Sequence, residues 1–174
     1  APPAYRDAVV GLLAERTGRP LTEANVPASS LQHGDDLLEV ASAVAQVGTV
    51  AAKVARDLRL LASGPAGGFG EIGLPAVMEG SAFFVDKVNP AVPETVIQAA
   101  AQVDGLLQTA RSAAAGAELH LHPYDLAAGV AVLDQLATLD RALAHLVDHA
   151  LAGLVLHEHR GRELAAGARS TKVG

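Results

Sequence analysis

The 174 residues fit one domain by length; half are hydrophobic but only 3% are aromatic, so alanine, leucine and valine must supply the core. A formal charge of −6, with no lysine or arginine cluster, leaves nucleic acid no footprint, and zero cysteines exclude a disulfide scaffold and thiolate chemistry. The apolar runs VASAVAQVGTVAAKV and HALAGLVL are expected to be too short, or too interrupted by charge, to span a bilayer; no signal peptide is read at Ala1, and a cytoplasmic protein is expected.

Residues 4–16, AYRDAVVGLLAER, set Val9, Leu12 and Leu13 against Arg6, Asp7, Glu15 and Arg16, which predicts a short amphipathic helix ended by TGRP. Residues 20–34 keep no steady period and read as a connector with room for one turn of helix. From Asp35 to about Ala62 the period is clear. Leu37, Val40, Ala41, Val44, Val47, Ala51, Val54, Leu58 and Leu61 recur at three- and four-residue spacing. Asp35 or Asp36 can cap this helix, and Gly64 and Pro65 can end it. Gly48, inside it, costs about 1 kcal/mol relative to alanine and signals close approach by another helix.

A second long helix is predicted from Pro90–Pro93 to about residue 115, because proline is tolerated in a first turn. Val96, Ala99, Ala100, Val103, Leu106, Leu107 and Ala110 mark its buried stripe. GAELHLHPYD, residues 116–125, breaks it, since Pro123 disfavours helix at His122. A third helix is predicted from Leu126 to His157, through Val130, Leu133, Leu136, Ala137, Leu143, Leu146, Ala150 and Leu154. RGRELAAGARSTKVG reads as a small frayed tail, with one further helical turn at most near Arg162, Glu163 and Leu164.

The fold class is therefore all-α, a bundle of three long helices, each about 40 Å by the 1.5 Å rise per residue. No strand pattern and no repeat stands out. The apolar stripes are wider than three rods can cover on one another, so helices from partner chains are expected to complete the core. Three segments follow: 1–34, a leading helix and connector; 35–158, a central long-helix segment with a loop at 64–90; and 159–174, a tail or remnant of a further domain.

The stretch GEIGLPAVMEGSAFFVDKVNPAVPE, residues 70–94, departs from this regularity with three prolines and three glycines around Ser81, Lys87 and Asn89. Taken singly, Ser81 fits a hydroxyl bonding its own turn, Lys87 a solvated charge and Asn89 a turn or cap. Glu94 fits a carboxylate favoured by a helix N-terminus. Taken together they form an array that can serve chemistry. A serine behind Gly80 can approach a substrate closely. Lys87 and Asn89 supply a cation and an amide donor suited to a carboxylate and to the charge that builds when a proton leaves its α-carbon. Glu94 can orient a histidine or a water.

LASGPAGGFGEIGLPAVMEGSAFFVDKVNPAVPE resembles the signature region of the fumarase/aspartase superfamily: serine-glycine-proline, glutamate-isoleucine, leucine-proline, glycine-serine, then lysine-valine-asparagine-proline. The likeness extends to AYRDAVVGLLAERTGRPLTEANVPASSLQHGDDLLEVASAV, and covers about residues 1–160. Lysine-valine-asparagine-proline, rather than a doubly basic version, is nearer the fumarase and aspartate ammonia-lyase side. The resemblance implies a helical core shared between subunits of a homotetramer, with sites assembled from three of them. It implies β-elimination from a succinyl-type substrate, with ammonia, an amine or water leaving and a fumarate-like product, and no cofactor; no metal site is read from the residues. Ser81 falls on the serine whose alkoxide removes the β-proton. Lys87 and Asn89 fall on positions that bind the carboxylate and stabilise the aci-carboxylate intermediate. Glu94 matches the acid partnered with an active-site histidine.

The departures concern the loop tip. The second serine is Ala82, and the methionine-proline-glycine tip is Phe84, Val85 and Asp86. Phe83 and Phe84 make the loop bulkier and more apolar, and Asp86 sets a negative charge beside a site for carboxylates. The family's other two catalytic regions have no counterpart here, so an N-terminal half of the lyase, as a second polypeptide or part of a cut chain, is the expected partner beside a dicarboxylate-type small molecule. The rival expectation is a non-catalytic homologue acting as a helical oligomerisation or partner-binding protein. His120 with His122, or His157 with His159, lack a third ligand at helical spacing; His145 and His149 are an i,i+4 pair that can share a helix face.

Overall fold

Periodicity at three and four residues becomes helix along most of the chain. The computed structural model describes residues 2–64, 66–78, 80, 83–84 and 87–170. Helix α1 (Pro3–Thr17) starts on a proline and closes on Gly18, whose φ of 64° is the left-handed conformation that ends helices. It forms as predicted but has no buried residue; Leu12 and Leu13 stay about half exposed. Arg6 reaches the following connector through Glu23 at 2.9 Å, and α2 (Pro27–Gln32) supplies the single helical turn expected there.

Helix α3 (Asp35–Leu61) begins where the pattern begins, but its cap differs. The cap residue is Gly34, with no side-chain cap bond, and Asp35 and Asp36 occupy the first turn. Gly34 is wedged against His122, where a Cβ would lie 3.2 Å from the ring Cε1. A side chain at position 34 would need the His122 ring to give way, and the two carboxylates act on the helix dipole instead.

Helices α4 (Ala91–Ala114) and α5 (Asp125–Leu146) pack with α3 into a three-helix bundle. One core cluster joins Ala41, Val44 and Ala45 of α3 to Val103 and Leu107 of α4 and Ala131, Val132 and Leu139 of α5. A second, toward the loop end, joins Ala51, Ala55 and Leu58 to Val92, Val96, Leu146, Ala150 and the loop residue Ile72. Small side chains at these contacts let the helices approach closely. Gly48 lies between the clusters, and a Cβ there would meet Val103 Cγ1 at 3.5 Å, an ordinary contact.

The third long helix is shorter than predicted. After Leu146 it widens into a single π turn (Val147–Leu151), then turns back. Gly153 is pressed against Pro75, where a Cβ would sit 2.6 Å from the proline Cγ, so the turn passes nearer the loop than a side chain would permit. Beyond it β2 (Val155–Leu156) pairs antiparallel with β1 (Ile72–Gly73), in the register Ile72↔Leu156 and Gly73↔Val155. Alternation over two residues is too short to read from sequence. The predicted tail is a 13-residue helix, α6 (Glu158–Ser170), braced by Arg162–Glu158 at 2.8 Å and Arg160–Glu163 at 3.5 Å.

By length and composition α3 as a whole is apolar enough to cross a membrane, although its runs taken singly were expected to fall short. Its buried stripe faces α4 and α5. The surplus apolar surface is also present: Val40, Val47, Val50 and Val54 of α3 are 39–63% exposed, and Leu126, Val130, Leu133 and Leu136 of α5 are 46–76% exposed.

Candidate functional site

The loop after α3 is held by its own glycines. Gly64 and Gly70 have φ of 122° and 63°, a region that side-chain-bearing residues seldom adopt. Gly68 lies so close to Ser63 that a Cβ would fall 2.5 Å from the serine carbonyl. The loop then folds back on the helix end: Gly70 N–H donates to the Ser63 carbonyl at 2.6 Å, and Glu71 N–H to the Leu61 carbonyl at 2.9 Å.

This fold-back, the start of α4 and the chain after β2 enclose an open cavity of about 490 Å³. Arg59, Ser63, Val88, Pro90, Glu94 and His157 line it. Glu94, in the first turn of α4, faces Arg59 from the last turn of α3, with Oε1 3.4 Å from Nε. Both side chains are nearly half exposed, so the pair is worth at most about 1 kcal/mol. Its effect is to direct a carboxylate and a guanidinium into one space. Among the described residues the ion-pair partner of Glu94 is therefore Arg59. His157 lines the same cavity, and its Nδ1–H donates to the Gly70 carbonyl at 3.0 Å.

Lys87 and Asn89 lie on the irregular segment that leads into α4. Asn89 sits between two cavity-lining residues, and its carbonyl accepts the Ala91 N–H at 2.8 Å. Lys87 is exposed; its Nζ lies 5.8 Å from the centroid of the Phe84 ring, within the range of cation–π attraction. Gly80 abuts the Lys87 carbonyl so closely that a Cβ would overlap it. Phe83 is 92% exposed and Phe84 65%. Ser81, the candidate base, and Asp86 lie outside the described residues. The structure thus brings Glu94 and the Asn89 segment to one cavity and keeps Lys87 close to Gly80.

Arg59 and Ser63 were missed from sequence, and His157 was weighed there only as half of a histidine pair. Arg59 stands in the last helical turn before SGP, which the motif itself marks, whereas His157 enters only through the strand pairing. Among the described residues no group of three or more histidines, aspartates or glutamates gathers as a metal site. His145 and His149 meet edge to face with centroids 4.7 Å apart. His122 is buried and bonds through Nε2 to the Ala113 carbonyl at 3.1 Å.

A family model described as lyase matches residues 1–105. The aspartate ammonia-lyase of Pseudomonas fluorescens is 36% identical over 174 aligned residues, covering 94% of this chain and 34% of that protein. The class II fumarate hydratase of Thermosynechococcus vestitus is 33% identical over 154, covering 88% and 33%. Among solved structures, the native fumarate lyase:delta crystallin from Brucella melitensis superposes with a TM-score of 0.87 at 31% identity, over 92% of this chain and 37% of that one. The chain spans about a third of the length of the curated relatives it matches.

Proposed function

This chain belongs to the lyase family, within the fumarase/aspartase superfamily, and from that premise we propose that it carries the serine-loop portion of a β-eliminating lyase. In this reading Ser81, as alkoxide, takes the β-proton of a succinyl-type substrate. The electrons of that C–H bond form the aci-carboxylate. They then form the double bond as an ammonium group departs with its bonding pair as ammonia or an amine, or as a hydroxyl departs with its bonding pair and takes up a proton to leave as water. Lys87 and Asn89 hold the carboxylate and stabilise the charge that accumulates on it. Glu94 is the acid that orients a histidine supplied by the rest of the lyase, and no cofactor takes part.

The observation that carries this reading is the cavity where Glu94, Arg59 and the Asn89 segment meet at the base of the loop bearing Ser81. Its open side leaves room for the remaining groups, from a longer chain, a second polypeptide or neighbouring subunits. Segments 1–34, 35–158 and 159–174 are assigned as leading helix and connector, central bundle and part of a further domain. The exposed apolar stripes on α3 and α5 support an oligomeric helical core, and the setting we assign is cytoplasmic.

Mixing the chain with an N-terminal half of the lyase and following the ultraviolet absorbance of fumarate tests the proposal. Turnover that falls by about 10²–10⁴ in Ser81→Ala is expected for loss of a base. A well-formed complex without turnover, or turnover indifferent to that substitution, would overturn it. The exposed Phe83 and Phe84 favour a second reading, a non-catalytic helical scaffold that binds a partner protein. A stable homo-oligomer of this chain alone, inactive with every half-lyase supplied, would select it.

A further inference from the structure

The start of α6 reaches back across the chain to the loop that forms the cavity. Arg160 Nε donates to the Phe69 carbonyl at 2.9 Å, and its Nη2 to the Gly68 carbonyl at 3.2 Å. His157 adds its backbone N–H to the Glu71 carbonyl at 2.8 Å and its Nδ1–H to the Gly70 carbonyl at 3.0 Å. Four consecutive carbonyls, residues 68–71, are thus held by two side chains and one amide from a segment some ninety residues away. The pairing of β1 with β2 continues the same seam. A guanidinium suits this task because its fork of N–H groups is planar and stays charged, so it can hold two carbonyls at once.

We propose that Arg160, with His157, is a positioning clamp that sets the shape of residues 68–71 and, through them, the wall of the cavity shared by Arg59 and Glu94. Among the described residues Arg160 bonds to the Gly68 and Phe69 carbonyls and to Glu163, and it acts by fixing carbonyls whose amides are tied to the end of α3. Loss of the clamp frees residues 68–71 of the wall to move relative to α4, while Ile72 stays anchored in the second core cluster and the bundle keeps its packing. The clamp's effect on turnover rests on the lyase reading above; its effect on the loop does not.

Hydrogen exchange read by mass spectrometry on the full chain tests the clamp, with Arg160→Ala, Arg160→Lys and Arg162→Ala compared. Among the described residues Arg162 pairs within α6, with Glu158 at 2.8 Å, so it controls for general loosening of that helix. Exchange across 68–71 is expected to quicken tenfold or more in Arg160→Ala, to recover in part in Arg160→Lys and to stay at the parent rate in Arg162→Ala, with α3–α5 unchanged throughout. If Arg160→Ala opens the bundle as well, the lysine variant against the Arg162 control carries the comparison. Equal loop exchange in parent and Arg160 variants, or the same acceleration in Arg162→Ala, overturns the proposal. In an active assembly, kcat should drop about tenfold in Arg160→Ala with KM within about twofold, and Arg160→Lys should restore part of it; a change in KM alone counts against positioning. An inactive parent assembly would sink the lyase reading, and exchange alone would then decide the clamp.

Discussion

Gln135, at the centre of α5, donates through Nε2 to the Val103 carbonyl of α4 at 2.9 Å, and the same nitrogen reaches the Ala41 carbonyl of α3 at 3.3 Å. It is fully buried, and its Oε1 has no hydrogen-bond partner among the described residues. One amide thus links all three long helices at a single level. The bonds it makes and the acceptor it strands work against each other. Gln135→Met, which removes both, should change stability by less than about 1.5 kcal/mol. Gln135→Glu, which points a carboxylate at two carbonyl oxygens, should cost about 3 kcal/mol or more. Urea unfolding followed by circular dichroism separates the two.

Gly48→Ala should stabilise the chain by about 0.5–1 kcal/mol. The new Cβ meets Val103 at an ordinary contact distance, and alanine removes the helix penalty of glycine. A raised melting temperature is the expected result. A lowered one would mean that α3 and α4 cannot part by even a few tenths of an ångström.

Gly80→Ala should do the opposite, and only locally. Its Cβ would overlap the Lys87 carbonyl, so the serine loop must rearrange while the helices stand. Unchanged far-ultraviolet circular dichroism with lyase turnover down tenfold or more is expected in the active assembly.

Glu94→Gln should separate stability from chemistry. The ion pair with Arg59 is nearly half exposed, so stability should shift by less than about 1 kcal/mol. Turnover should fall by about 10²-fold if the carboxylate orients a proton-transfer group. Parallel unfolding and steady-state measurements give both numbers.

Val50→Lys should weaken self-association. Val50 is 63% exposed on the outward stripe of α3, and a charge placed there would be costly to bury in a helical interface. Sedimentation of parent and variant at equal concentration reads the change in mass.

The helical period and the breaks at glycine and proline could be read along the chain because they are local, but the buried face could be read only in part: Val130, Leu133 and Leu136 of the α5 stripe are exposed, and Ala128, Ala131, Val132, Gln135 and Leu139 are buried instead. A stripe at three and four residues declares α3, α4 and α5 without reference to anything distant. The same locality explains the errors. Asp35 looked like a cap because nothing nearby announces that His122 fills the space beside Gly34. The third helix looked longer because Leu154 keeps the period, and nothing nearby announces the π turn at Val147–Leu151 or the pairing of β2 with the distant β1.

The candidate site divides along the same line. Ser81, Lys87, Asn89 and Glu94 stand within one short stretch, and their spacing was enough to single them out and to mark the resemblance to the lyase family. The amino-acid sequence by itself determined an all-α chain and the place of its unusual loop, since helix propensity, apolar period and motif spacing act between residues close along the chain. Only the tertiary structure decided that Glu94 faces Arg59, that His157 shares their cavity and that Arg160 holds the loop from α6. Those contacts join segments far apart in sequence, and packing of the helices is what brings them within hydrogen-bond reach.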